Sequence, residues 1–244
     1  MTLAAVLTAA GGGTRLGHRL PKALVPLGGE PIVARAARAL VAACAPHGLA
    51  VLVVTAPAEH LADVSDAVER LALGVPVVVV PGGASRQGSV AAALQALGDR
   101  PGVDVVLVHD AARPGLPADV VERVVTAVRA GHPAVVPALA VADTVKRVGA
   151  GDGLAEPVLE TLPRPALRAV QTPQGFDRAL LERAHAAAAH VAHDEAVAAS
   201  DDAGLVERLG EQVWVVPGDE RCAKITTARD LRVAELLLGQ DDDA

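Results

Sequence analysis

The chain has 244 residues, 51% of them hydrophobic, enough apolar material for one large core or two small ones. A net charge of −7 and an aromatic content of 1% argue against a nucleic-acid partner, which would need a basic face or stacking rings. No run reaches the roughly 18 apolar residues of a spanning helix. Cys44 and Cys222 are too few for a disulfide framework, so no membrane contact and a reducing, cytoplasmic setting are expected.

In chain order, the start MTLAAVLTAAGGG lacks the basic n-region of a signal peptide. Its stretch Leu3–Ala10 reads as a short buried strand entering a glycine turn at Gly11. A helix is predicted over Pro31–Ala43, a strand over Leu49–Pro57 and a helix over Glu59–Leu73. VPVVVVPGG is a strand with a glycine turn, and Ser85–Leu97 a helix with Ser85 as its cap. VDVVLVHDAARP is a strand stopped by a charged, proline-bearing turn; Asp119–Gly131 is a helix closed by glycine, and PAVVPALA a strand.

The rhythm breaks between Ala142 and Leu167, a polar, glycine-punctuated stretch that reads as a hairpin with Gly149–Gly153 as its turn. An isolated two-stranded arm is marginal in water, so it either pairs with a partner chain or folds back on the surface. Then QTPQGF reads as a turn, DRALLERAHAAAAHVA as a helix and QVWVVPG as a strand; a last helix starts near Thr227. One domain is expected over residues 1–239, with the arm at about 140–167 and a frayed tail at 240–244. Strands that alternate with helices and are solidly aliphatic imply an α/β fold, a mostly parallel sheet covered on both faces. Such sheets bind ligands beyond the carboxyl ends of their strands. The turns after Ala10, Val80 and Val108 should therefore share one edge.

AAGGGTRLGHRLPK, residues 9–22, combines a run of three glycines and a fourth at Gly17 with Arg15, Arg19 and Lys22 and contains no acid. It fails the dinucleotide fingerprint: the sixth position from Gly11 is Leu16, and the third from Gly12 is Thr14. It fails the P-loop pattern because His18 and Arg19 follow Gly17. What remains is a glycine turn whose amides form an anion-binding concavity, with Arg15 and Lys22 beside it. Asp110 closes its strand as a helix cap, a turn former or a metal ligand. Beside a phosphate loop the metal reading gains weight, because Mg²⁺ takes one or two carboxylates plus phosphate oxygens, and Arg113 becomes a candidate phosphate fork. The chain has only three lysines, Lys22, Lys146 and Lys224. Either this is chance or those positions need a compact point charge that a planar guanidinium does not replace.

No Ser-His-Asp or Cys-His constellation emerges. His185, His190 and His193 share a helix without an acid or cysteine in register and are expected to be solvated. His109 should face away from Asp110. The two cysteines are expected to be inert, Asp201 and Asp202 to cap a helix or else support the basic cluster, and Trp214 and Phe176 to lie in the core.

In order, TAAGGGTRLGHRLPKALVPLGGEPI, PGGASRQGSV, VLVHDAARP, ADTVKR, QTPQGF and AKITTARDL resemble the 2-C-methyl-D-erythritol 4-phosphate cytidylyltransferases, from about Leu3 to Leu236. The first motif alone marks only the nucleotidyltransferase superfamily; HDAARP with DTVKR and QTPQ is far more specific. The resemblance implies a Rossmann-like nucleotidyltransferase fold, a three-layer sandwich with a protruding β-arm, and a homodimer clasped by that arm. It implies transfer of the cytidylyl group of CTP to methylerythritol 4-phosphate with Mg²⁺, releasing pyrophosphate, in isoprenoid precursor biosynthesis. By the same resemblance, Arg15 and Lys22 stabilise charge at the reacting phosphates, and Asp110 holds the magnesium. Ala9, Ala10, Gly11, Gly13, Gly83, Ser89 and Asp110 line the CTP site. Ala111, Arg113, Thr144, Arg164, Thr172 and Lys224 hold the sugar phosphate, Thr144 and Arg164 from the neighbouring subunit's arm. Ala84 departs from the pattern, since many relatives carry an acid there. Two rival readings are a cytidylyltransferase for another polyol phosphate, such as ribitol 5-phosphate, and a non-catalytic nucleotide-binding subunit. DTVKR leans away from the first, and the presence of Arg15, Lys22 and Asp110 leans away from the second.

Overall fold

The computed structural model describes residues 2–11, 20–194 and 198–241. Its elements in chain order are β1 (Thr2–Thr8), β2 (Pro26–Leu27), β3 (Glu30–Pro31), α1 (Ile32–Cys44), β4 (Leu49–Ala56), α2 (Leu61–Glu69), β5 (Val77–Pro81), α3 (Arg86–Leu97), β6 (Val103–Asp110) and α4 (Ala118–Arg129). They continue with β7 (Ala134–Ala140), β8 (Lys146–Val148), β9 (Val158–Thr161), β10 (Arg168–Val170), β11 (Gln174–Asp177), α5 (Arg178–Ala187), α6 (Asp202–Arg208), β12 (Trp214–Pro217) and α7 (Ala228–Asp241).

The aliphatic runs become the centre of an eight-stranded sheet ordered β10-β7-β11-β6-β1-β4-β5, with β12 also paired to β7. Leu3 to Leu7 are all buried, because a strand covered on both faces has no solvent side to make polar. β1 runs parallel to β4 and β6, and β4 parallel to β5, while β10 and β11 run antiparallel to their neighbours. One apolar cluster joins the sheet to α1, α2 and α4; a second joins its other face to α3, α5 and α6. These are the three layers expected. A small third cluster seats α7, through Leu231 and Ala234, against Val25, Leu27, Ile32 and Ile225.

Most predicted elements form where their local signals lie. Ser85 caps α3, its Oγ accepting the Gly88 amide at 3.0 Å. α2 is shorter than predicted, because a separate 3-10 turn takes up Ala58–His60 and the helix ends at Glu69. QTPQGF does not end as a turn. Gln174–Asp177 is β11, wedged antiparallel between β6 and β7. Gly175 makes this close packing feasible, since a Cβ there would collide with Val124 of α4. Phe176 is fully buried, as expected, but Trp214 lies on the edge strand β12, 44% exposed, with its ring 4.3 Å from that of His132. His185 also departs from expectation: it is buried, because α6 brings Asp202 to its Nε2.

The hairpin forms between β8 and β9, antiparallel, with Lys146 opposite Thr161. Every residue of both strands is exposed. Among the described residues, no helix is long and apolar enough to cross a membrane.

Candidate active site

Parallel pairing places Thr8 level with both Thr55 and Asp110, so β1, β4 and β6 end on one edge. A cleft of about 580 Å³ opens there. Its floor is Thr8, Ala9, Ala10 and Gly11, where β1 gives out. Gly13 and Arg15 lie outside the described residues. The chain re-enters the cleft at Lys22, which opens a 3-10 turn over Lys22–Leu24.

A second wall comes from the turn after β5. Ser89 Oγ accepts the Gly83 amide at 3.1 Å and donates to the Ser85 carbonyl at 2.9 Å. The turn lies so close to α3 that a Cβ on Gly83 would sit 2.6 Å from the Gly88 carbonyl carbon. Glycine is therefore required for the close approach. Ala84, where many relatives carry an acid, contributes only a methyl group to this wall.

The third wall is the end of β6. Asp110 is nearly buried and surrounded by donors. Its Oδ1 accepts from Arg86 Nε at 3.2 Å and from Thr8 Oγ1 at 3.3 Å; its Oδ2 accepts from Lys224 Nζ at 2.7 Å. Burial alone would raise its pKa, but Arg86 and Lys224 outweigh it and hold the carboxyl far below the usual carboxylate range. Lys224 is brought here by two ties between its segment and the turn after Asp110. Ile225 N–H donates to the Ala112 carbonyl at 2.8 Å, and Arg113 Nη1 donates to the Cys222 carbonyl at 2.7 Å.

Behind Asp110, His109 and Thr172 are neutral and hydrogen-bonded to each other. His109 is buried, and that burial lowers its pKa to about 4, so the ring is uncharged at neutral pH. Its Nε2 is 3.0 Å from the Arg113 carbonyl, which only accepts, so the proton is assigned to Nε2. Nδ1 then accepts from Thr172 Oγ1 at 2.9 Å, while that same oxygen accepts the Asp110 amide at 3.1 Å. Both cysteine thiols are pushed up to about 12 by burial and are inert.

The cleft thus gathers Ala9, Ala10, Gly11, Lys22, Gly83, Ser89, Asp110, Ala111 and Lys224 from the expected set. Arg113 and Thr172 stand behind its wall, gripping the turn rather than lining it. Thr144 and Arg164 lie on the exposed arm and do not reach this cleft within one chain; Arg164 Nη1 donates to the Ala142 carbonyl. Sequence reasoning missed Arg86, which lines the cleft; the signal for it is an arginine opening a helix directly after a strand-end glycine turn. Asp202, which binds Arg86 Nη1 at 2.7 Å, has no local signal beyond its neighbour Asp201, the actual cap of α6.

Among the described residues, no group of three or more His, Cys, Asp or Glu gathers as a metal cage. A divalent ion that arrives with a triphosphate does not need one, because phosphate oxygens complete its shell. A carboxylate offers about four lone-pair directions; Arg86, Thr8 and Lys224 take three of those on Asp110. One direction and a permanently ionised group remain, which fits a magnesium–nucleotide complex.

A three-layer α/β sandwich with glycine turns, two lysines and a lone carboxylate at its carboxyl edge defines a nucleotidyltransferase. The family model for IspD, 2-C-methyl-D-erythritol 4-phosphate cytidylyltransferase, matches residues 3–240. The chain is 50% identical to the protein of that name from Streptomyces avermitilis, over 97% of this chain and 92% of that one. It is 48% identical to the one from Saccharopolyspora erythraea, over 98% and 100%. The crystal structure of the Thermus thermophilus enzyme superposes with a TM-score of 0.72 at 37% identity, over 97% of this chain and 98% of that one. This chain belongs to the 2-C-methyl-D-erythritol 4-phosphate cytidylyltransferase family.

Proposed function

We propose that the chain transfers the cytidylyl group of CTP to 2-C-methyl-D-erythritol 4-phosphate in the cleft at Asp110, releasing pyrophosphate. The observation that carries this reading is the convergence of Lys22, Lys224 and Asp110 on one cleft between two glycine turns.

An oxygen of the acceptor phosphate attacks the α-phosphorus of CTP; the new P–O bond forms as the bond to pyrophosphate breaks. The acceptor phosphate is already anionic at neutral pH, with a second pKa near ~6, so no side chain has to remove a proton. That accounts for a site whose buried histidine is neutral and committed to structure. The obstacle is repulsion between two polyanions and the charge that builds on the transferred group. Cations fixed in advance at that position lower the barrier without having to reorganise. Lys22 and Lys224, which both line the cleft, are assigned this role, and the family resemblance assigns it to Arg15 as well. Ala10 and Gly11 offer their amides to the phosphates, a role the resemblance also gives Gly13, and Gly83, braced by Ser89, serves the base. Asp110 would hold a divalent cation, which would supply charge neutralisation for the triphosphate. Lys224, half-exposed and bonded to Asp110 alone among the described residues, is free to turn toward the acceptor phosphate. Arg113 and Thr172 serve the acceptor side, Thr172 by holding the Asp110 amide and Arg113 by tying the turn after Asp110 to the segment that carries Lys224.

The arm is assigned to a homodimer. Leu154, Val158 and Leu159 are 96%, 58% and 64% exposed on it, an apolar surface that a second copy would cover. In that assembly Thr144 and Arg164 serve the partner's acceptor. The setting is cytoplasmic.

Pyrophosphate release tests the reaction. It is expected with CTP, Mg²⁺ and methylerythritol 4-phosphate together, and only weakly with ribitol 5-phosphate. Equal turnover of the two acceptors would move the assignment to a broader polyol phosphate cytidylyltransferase, and no release with either would remove it.

A further inference from the structure

Arg86 is less exposed than Lys224, and it belongs to two carboxylates at once. Its Nε donates to Asp110 Oδ1 at 3.2 Å and its Nη1 to Asp202 Oδ2 at 2.7 Å. Asp202 is 1% exposed and lies outside the cleft. Its Oδ1 is held by His185 Nε2 at 2.9 Å, and its amide donates to Gln174 Oε1 at 3.2 Å. Gln174 in turn donates to Asp201 Oδ2 at 2.8 Å. A chain of hydrogen-bonded groups therefore runs from α5 and β11, through the first turn of α6 and of α3, to the carboxylate at the end of β6.

The two cations on Asp110 are built differently. Lys224 is 42% exposed at its side chain and has this one carboxylate, whereas Arg86 is 20% exposed and forked between two. An ammonium with one partner exchanges it readily. A guanidinium pinned by a second, buried carboxylate does not, because releasing either bond leaves a buried charge uncompensated. Arg86 therefore remains on Oδ1 when Lys224 leaves Oδ2. This fixes both the rotamer of Asp110 and the oxygen it presents to a metal.

We propose that Arg86 is a positioning residue for the metal-binding carboxylate, and that Asp202, 116 positions away in the chain, is its anchor. The inference rests on the cytidylyl-transfer reading above and deepens it.

The test uses the full-length chain with two variants, Arg86→Lys and the pair Arg86→Met with Asp202→Leu. Apolar side chains of similar volume often replace a buried ion pair without loss of stability, so the paired variant should keep its thermal midpoint. A lysine keeps the charge but has no fork to span two carboxylates. Calorimetry of CTP binding, without acceptor, reads the Mg²⁺ concentration for half-saturation; steady-state kinetics reads kcat and the acceptor KM. Loss of a group that orients a metal ligand typically costs about 10–100-fold in metal affinity or activity. Both variants should show a shift of that size in Mg²⁺ requirement and in kcat, with the acceptor KM unchanged. Native Mg²⁺ dependence and kcat in either folded variant would overturn the proposal. So would loss of the folded state in both, which would make the network structural only. If the unmodified chain bound CTP without regard to Mg²⁺, the reaction assigned above would fail first, and this inference with it.

Discussion

Three lysines among twenty-two basic residues have separate fates. Lys22 and Lys224 enter the cleft, whereas Lys146 sits on the exposed arm and donates to Thr161 Oγ1 at 2.6 Å. In the proposed reaction the first two are the point charges that meet phosphate oxygens, and a guanidinium would bring a longer, planar head. Lys22→Arg should therefore lower kcat by about 10²–10³, the usual cost of one preorganised donor, while the thermal midpoint stays within the error of the native value. Near-native kcat in that variant would show that only the sign of the charge matters. Asp110 was legible as a candidate because it closes an aliphatic strand. Arg86 was not, because its meaning lies in contacts that span 24 and 116 residues of sequence; Asp202 was legible only as a cap or else a support of the basic cluster, and its bond to Arg86 is the second of these. His185 reads as solvated for the same reason: its partner Asp202 is 17 residues downstream and in another helix.

Elements with local signals were legible, and elements made by tertiary contact were not. The Ser85 cap, the glycine closing α4 and the aliphatic strands β1, β4 and β6 can be read directly. β11 has no alternation and follows a proline. It is a strand because its buried Gln174 finds Asp201 and the amides of Asp202 and Ala203 on α6. The start of α7 shows the opposite case. In TTARDL, Asp230 Oδ2 accepts from the amides of Thr226 and Thr227 at 2.8 Å, and Thr227 Oγ1 accepts the Asp230 amide at 3.2 Å, a reciprocal cap. The Thr226 hydroxyl and these amides lower the Asp230 pKa to about 2. A depressed carboxylate adds stability that is present above its unfolded value of about 4 and is lost as the pH falls toward 2. The stability gap between the native chain and Asp230→Ala, measured by denaturant titration, should therefore narrow over that range. A gap independent of pH would contradict the capping account.

At the scale of the whole molecule, the sheet gathers the cleft, and the exposed arm stands outside it. Thr144 and Arg164 flank the exposed hairpin and do not line their own chain's Asp110 cleft, so their proposed service to the acceptor calls for a second copy. Sedimentation velocity should show a dimer at assay concentrations, and a variant with Leu154→Asp, Val158→Asp and Leu159→Asp should sediment as a monomer and lose turnover. A native monomer with full activity would remove the arm from the mechanism. Beside the polar cleft lies an apolar one of about 470 Å³, walled by Leu27, Pro114, Leu116, Ile225 and Val233 and sharing Lys224 at its rim. The two clefts offer different chemistry to a nucleotide. A crystal structure with CTP and Mg²⁺ decides between them. The triphosphate should lie between Gly11, Lys22 and Asp110, with the metal on the Asp110 carboxylate and Lys224 released from it. CTP in the apolar cleft, with Lys224 still bonded to a metal-free Asp110, would contradict the account.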